Sequence, residues 1–227
     1  MYWQEPEQED DFRVPADVVE LVFAIDCRAL PVDHADALHR ALIVAQPWLA
    51  ETAGLGIHSI HGAGSQNGWE RPPHGTDTCL QLSRRTKLRL RVPQHLSDSL
   101  LATLPGSRIE VAGHPLTIGQ GRIRSLDPNP TQLARHVVCS AEEDENAFLE
   151  RAAETLARIE VGMRKALCGR ALTLATADGP LHTRSLLLAN LPADESIRLQ
   201  QHGLGSHRHL GCGLFIAHKG IDPVRPG

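Results

Sequence analysis

One order of apolar patterning occurs twice along this 227-residue chain, on either side of the proline-containing segment DPNPTQ (residues 127–132), and that recurrence limits the folds open to it. The run VVELVFAID (18–26) is β-branched and apolar, broken only by Glu20, as a central strand requires. A helix follows in LPVDHADALHRALIVAQPWL: Asp33 is a good N-cap, Leu38, Leu42 and Ala45 share a face filled in by Ala37, Ala41 and Val44, and Pro47 stops it. LGIHSIHG (55–62) alternates like a strand, and residues 62–78, rich in Gly, Pro, Asn and Ser, read as a long loop. CLQLSRRTKLRLRVP (79–93) reads as a strand with one buried and one basic face. QHLSDSLLATLPG is a short amphipathic helix, and SRIEVAG and PLTIGQGRIRSL are two more strands.

After DPNPTQ the pattern starts again. LARHVVCS reads as a strand and EEDENAFLERAAETLARIEV as a long helix with acidic residues in its first turn. RALTLAT and TRSLLLANL form a hairpin, PADESIRLQQHG a short helix or turn, and CGLFIAHK a last strand. With the last two strands of the first half taken together as one hairpin, each half runs β, α, β, β, α, β, so the expected class is α+β with two tandem ferredoxin-like (RRM-like) βαββαβ domains. The expected boundaries are an acidic mobile tail at 1–17, domains at 18–127 and 128–219, and a tail at 220–227. The halves share order and negligible sequence identity, so any duplication is one of pattern.

The net charge is −4, which excludes the global basic excess of a histone-like protein, so a polyanion site must be local. Residues 1–11, MYWQEPEQEDD, lack both a basic start and an apolar core, and no stretch approaches about 18 apolar residues. A soluble cytoplasmic protein without membrane contact is expected. The five cysteines are scattered singly, with no C-x-x-C pair, which points to free thiols rather than disulfides or a zinc site.

Near its end the chain reads HGLGSHRHLGCGLF (202–215), in which Gly203, Gly205, Gly211 and Gly213 form two Gly-x-Gly pairs around an insert carrying His207, Arg208 and His209. Clustered glycines that tolerate positive φ build a concave nest of N–H donors suited to phosphate oxygens; the plainer alternative is a flexible turn. A dinucleotide site needs its glycines after a strand and at a helix start, whereas these precede a strand. Nucleic-acid backbone is the favoured ligand.

A second cationic element supports that choice. Arg84, Arg85, Lys87, Arg89 and Arg91 lie in SRRTKLRLR without an intervening acid, more than a solvated sheet face needs, and Arg122 and Arg124 repeat the alternation. Aromatic residues make up 4% of the chain and no RNP1 element occurs, so base stacking on the sheet is poorly supplied and recognition must rest on shape and charge.

The segment GLGSHRHLGCGLF matches the G-x-G-x5-G-x-G signature of the CRISPR-associated repeat endoribonucleases, the sixth Cas family. With DHADALHRAL and GIHSIHGAG it resembles the myxan-type subfamily, over about residues 19–219. The resemblance implies two RRM-like domains, cutting of precursor crRNA within its repeats, and CRISPR repeat RNA (pre-crRNA and crRNA) and other Cas effector subunits as partners. It also implies a catalytic histidine on the first helix: His39 in ALHRAL resembles that L-H-x-x-L placement, although a Tyr or Lys partner is not evident near it. His34 in PVDH is the reserve, as base or as the residue that fixes the helix start.

Metal-free RNA cleavage needs one group to deprotonate the 2′-hydroxyl, one to protonate the leaving 5′-oxygen, and cations around phosphorus; histidine, with an ordinary pKa near 6.5, suits both proton steps. His58 and His61 would point to opposite faces of a strand, so a shared metal is disfavoured and His61 is read as an RNA contact. Phosphate contact is expected of Gly203, Gly205, His207, Arg208, Gly211 and Gly213, with no metal and no cofactor. Two rivals stand: a non-catalytic RNA-binding subunit, and a metalloenzyme in which His58, His61 and His74 converge.

Overall fold

The strand and helix patterns at the start of the chain become β1 (Val18–Asp26), a short β2 (Ala29–Pro31) and α1 (Ala35–Ala45) in a computed structural model that describes residues 12–61 and 78–218. The acidic stretch 1–11, most of the long loop with His74, and residues 219–227 lie outside the described residues. β3 (Gly56–Ile57), β4 (Cys79–Gln81) and β5 (Lys87–Pro93) follow, then α2 (Ser97–Thr103), β6 (Arg108–Val111) and β7 (His114–Arg124). The second half runs β8 (Gln132–Val138), α3 (Glu145–Arg158), β9 (Lys165–Thr176), β10 (Gly179–Ala189), α4 (Ala193–His202) and β11 (Phe215–Ala217).

The result is a mixed α/β fold with antiparallel sheets. β1 sits between β5 and β7 in the order β3-β5-β1-β7-β6, and β8 sits between β11 and β10 in the order β11-β8-β10-β9. In the first half Leu21, Phe23 and Ile25 of β1 and Leu88, Leu90 and Val92 of β5 meet Leu38 and Leu42 of α1 and Leu100 of α2. In the second, Phe148, Ala152 and Leu156 of α3 cover Ala134, Val137, Leu186 and Leu188. Each fully buried Leu or Phe contributes roughly 1.5–3 kcal/mol. α3 starts where Asp144 accepts the Ala147 amide at 2.9 Å. Among the described residues no helix is long and apolar enough to cross a membrane.

Three local expectations change. The α1 N-cap is His34 rather than Asp33, because the Asp33 carboxylate reaches across to the Ala175 amide of β9, 2.6 Å away. The 55–62 strand shrinks to Gly56–Ile57. The run 79–93 is broken into β4 and β5 by a turn in which Ser83 and Thr86 exchange hydrogen bonds, and β4 pairs with β2 in a separate ribbon.

The fourth change concerns the basic strand. Since Leu88, Leu90 and Val92 face the core, Lys87, Arg89 and Arg91 face the second half of the molecule. Arg91 is therefore no RNA contact: it is fully buried, its guanidinium 2.5 Å from Glu20 Oε1 and donating to the Gln200 carbonyl of α4 at 3.1 Å. Burial alone would raise Glu20, but His58, 3.0 Å away, and Arg91 outweigh it and hold the carboxyl well below its ordinary range. The ionised pair thus stabilises the fold above the usual carboxylate range and is lost only as pH falls well below it. A third apolar cluster, Ala35, Leu174, Leu210 and Cys212, joins α1 to β9 and the glycine loop.

Removing one member of a buried ion pair leaves the other uncompensated. Arg91→Ala should lower unfolding free energy by about 3–5 kcal/mol in urea titration, whereas Arg84→Ala, in the exposed turn, should stay within about 0.5 kcal/mol.

Candidate nucleic-acid interface

The glycine loop begins where α4 ends at His202 and doubles back so that the Leu204 amide donates to the Gly213 carbonyl at 3.1 Å and the Gly213 amide to the His136 carbonyl at 2.6 Å. At Gly213, φ is +66° and a β-carbon would stand 2.1 Å from the Leu204 carbonyl oxygen, so only glycine fits. Gly203 and Gly211 are also buried, and Gly211 packs on Ile57 of β3 and on Ser59 just beyond it. Gly205, exposed at φ +80° with open space around it, meets only the demands of a turn.

These contacts correct the expected phosphate nest. The amides of Gly203, Leu204, Leu210, Gly211, Cys212 and Gly213 donate to main-chain carbonyls, so Gly203, Gly211 and Gly213 shape the loop rather than bind through it. Arg208 is corrected too. Its guanidinium donates to the carbonyls of Gln201, at 2.9 Å, and His202, closing the C-terminal end of α4, and lies 3.5 Å from the Gly54 carbonyl; burial pushes it down to about 10.

What the loop presents is its histidines. The rings of His209 and His39 of α1 lie 4.5 Å apart, centroid to centroid, tilted by 46°, and His207 stands 5.8 Å from His209. His207 occupies the left-handed region at φ +61°, with Nδ1 2.8 Å from Ser206 Oγ. Burial lowers the His39 pKa and nearby Arg40 adds to that, while Asp36, one turn earlier, opposes. Burial also lowers His209, together with His39 and His207.

His34 is 1% exposed and engaged at both ring nitrogens: Nδ1 donates to the Pro31 carbonyl at 2.7 Å and Nε2 accepts the Ile60 amide at 2.9 Å. A ring so held fixes the start of α1 and has no lone pair to offer a substrate, which corrects its place as reserve base. β3 ends before His58, which turns in to Glu20, while His61 lines a cleft. Among the described residues no group of three or more His, Cys, Asp or Glu is arranged to hold a metal ion.

That cleft, about 320 Å³, lies between the halves. Arg85, Lys87 and Arg89 line one side, Arg135 and His136 of β8 the other, and Gly211 places it beside the glycine loop. Among its described lining residues none is Asp or Glu. Arg135 is lowered by burial and further by the charge of Arg89. A second cleft of about 290 Å³ adjoins it through Arg89 and includes Arg124 and His218. Arg122 and Arg124, opposite Val22 and Glu20 of β1, continue the stripe as exposed side chains, and Arg84 and Arg85 are exposed in the turn before β5. Arg135 is the cleft cation that sequence reasoning does not single out, and His209 reads there as a phosphate contact of the loop's basic insert without its approach to His39. The signal for Arg135 was the polar pair inside LARHVV; for His209 it was one more basic residue in a loop already rich in them.

Gly213→Ala should melt far below Gly205→Ala. The second substitution meets only the left-handed backbone cost of about 1–2 kcal/mol, and the first adds a main-chain collision, both read by thermal denaturation.

A family model described as Cas6 Crispr matches residues 19–220. The curated CRISPR-associated endonuclease Cas6 of Myxococcus xanthus (strain DK1622) is 33% identical over 199 residues, covering 87% of this chain and 80% of its own length. A solved CRISPR associated protein Cas6 superposes with a TM-score of 0.61 at 10% identity, covering 89% of this chain and 100% of that one. A RAMP protein binding different RNA substrates gives 0.59 at 11% identity, over 88% of this chain and 100% of its own. At such identities the two solved structures share the fold with this chain.

Proposed function

The chain belongs to the Cas6 CRISPR family, and from that premise we propose that it cuts precursor CRISPR RNA within its repeats without a metal ion, using two tandem ferredoxin-like units, 18–127 and 128–219. The strand orders β3-β5-β1-β7 and β11-β8-β10-β9, each with the unit's first strand between its third and last, support the two-unit reading.

The observation that carries the function is the cleft between the units. Arg85, Lys87, Arg89 and Arg135 line it with no carboxylate among the described lining residues, a composition that suits a polyanion. With aromatic residues at 4%, the repeat RNA is held by its phosphates and shape. Arg84, Arg85, Lys87, Arg89 and His61 make that grip, with Arg135 added and Arg91 and Arg208 withdrawn.

His39, brought to the loop beside the cleft, moves a proton as base or acid. The 2′-oxygen attacks the adjacent phosphorus in line, the bond to the 5′-oxygen breaks, and a 2′,3′-cyclic phosphate and a 5′-hydroxyl result. The cut RNA stays bound and passes with the protein to other Cas subunits.

Repeat RNA incubated with the protein in EDTA should yield fragments with a cyclic phosphate end. His39→Ala should slow single-turnover cutting by about 10²–10⁴ while RNA stays bound, and Arg89→Ala should weaken binding and lessen its log–log salt slope by about one. Bound but uncut RNA would make the protein a binding subunit, and activity lost in EDTA and restored by a divalent ion would make it a metalloenzyme.

A further inference from the structure

Metal-free cleavage requires two proton transfers, and His39 supplies one. We propose that His209 of the glycine loop is the general base that takes the 2′-hydroxyl proton and that His39 is the general acid that protonates the leaving 5′-oxygen. This rests on the proposed cleavage activity and goes beyond it by giving the second transfer a residue and each residue a direction.

The geometry carries it. Two imidazoles from elements 170 residues apart in sequence, α1 and the loop, meet at 4.5 Å between ring centroids, each half-buried, and Gly211 of the same loop lines the cleft of cations. Rings that close can act on the two oxygens of one phosphodiester.

The surrounding charges set the direction. Asp36 lies one helical turn before His39 on α1 and favours a proton there, although its carboxylate also holds Arg40 at 3.0 Å and burial and Arg40 act the other way. His209 is pushed down by burial, by His39 and by His207, and only Asp36 among the groups acting on it favours a charge. Two imidazoles in contact do not readily hold two positive charges, so at most one is protonated at a time, and in the proposed assignment that proton sits on His39, one turn after Asp36. His209 is then neutral and able to accept.

The step balances. The 2′-oxygen forms its bond to phosphorus as its proton passes to His209, the bond from phosphorus to the 5′-oxygen breaks, and that oxygen takes the proton of the His39 imidazolium. Passage of one proton from His209 back to His39 restores the starting state. Histidine has the right ordinary pKa for both roles near neutrality.

The test uses the full chain with two repeat RNAs, one natural and one with a bridging sulfur in place of the 5′-oxygen at the cut, a leaving group that needs no acid. Wild-type protein should cut both. His39→Ala should lose about 10²-fold or more on the natural RNA and recover most of it on the sulfur RNA. His209→Ala should lose at least about 10²-fold on both and regain activity when free imidazole is added, with RNA affinity within about twofold of wild type. A role in loop structure alone gives a loss that imidazole does not touch. That result, full activity of His209→Ala, or sulfur rescue of His209→Ala instead of His39→Ala would overturn the assignment. Wild-type protein that leaves natural repeat RNA intact would instead sink the cleavage activity itself.

Discussion

The architecture depends on an ion pair in the middle of the first sheet. Glu20 and Arg91 are both buried, and Arg91 reaches past its partner to the Gln200 carbonyl near the end of α4. Gln200 in turn holds the Asp127 main chain through both ends of its amide, so the connector between the halves and the helix that leads into the glycine loop are tied to one point. A charged pair in this setting gives little net stability over an apolar substitute, but it fixes register and orientation. Orientation matters here because α4 delivers the loop, and the loop delivers His209 to His39.

The loop glycines are a consequence of that delivery. A chain that leaves α4, makes a tight excursion and returns beside its own start must bring Leu204 and Gly213 into contact, and the returning strand must lie against β3. Side chains at the crossing points would hold these surfaces apart. The glycines therefore enforce proximity and leave the imidazoles of His207 and His209 between them. Arg208 plays the same structural part, satisfying carbonyls that α4 would otherwise leave open.

The element order was legible in the sequence because period-2 and period-3.6 patterns and turn residues state it locally: β1, α1, α3 and the β9–β10 hairpin stand close to where those patterns place them. The site was legible in part. The sequence singled out His39 and the loop, which the structure brings together, but not the burial of Arg91, since alternation tells which side chains share a face and not what comes to cover that face. His34 was ambiguous for a related reason. Its partners, Pro31 and the Ile60 amide, lie on segments whose approach no local pattern encodes. The glycine spacing likewise said that the backbone was unusual there and left open whether a ligand or another strand came close.

If the proposed cleavage takes place in the cleft, its cations also bear on the fate of the RNA once it is cut. Transesterification through the 2′-hydroxyl neither adds nor removes phosphate charge, since a cyclic diester bears the same single negative charge as the linkage it replaces. The cations that relaxed when the transcript arrived are thus as well neutralised afterwards as before. On the proposed reading, a cationic cleft that meets the same phosphate charge before and after the cut holds the product as it held the transcript, which turns a cutting tool into a carrier.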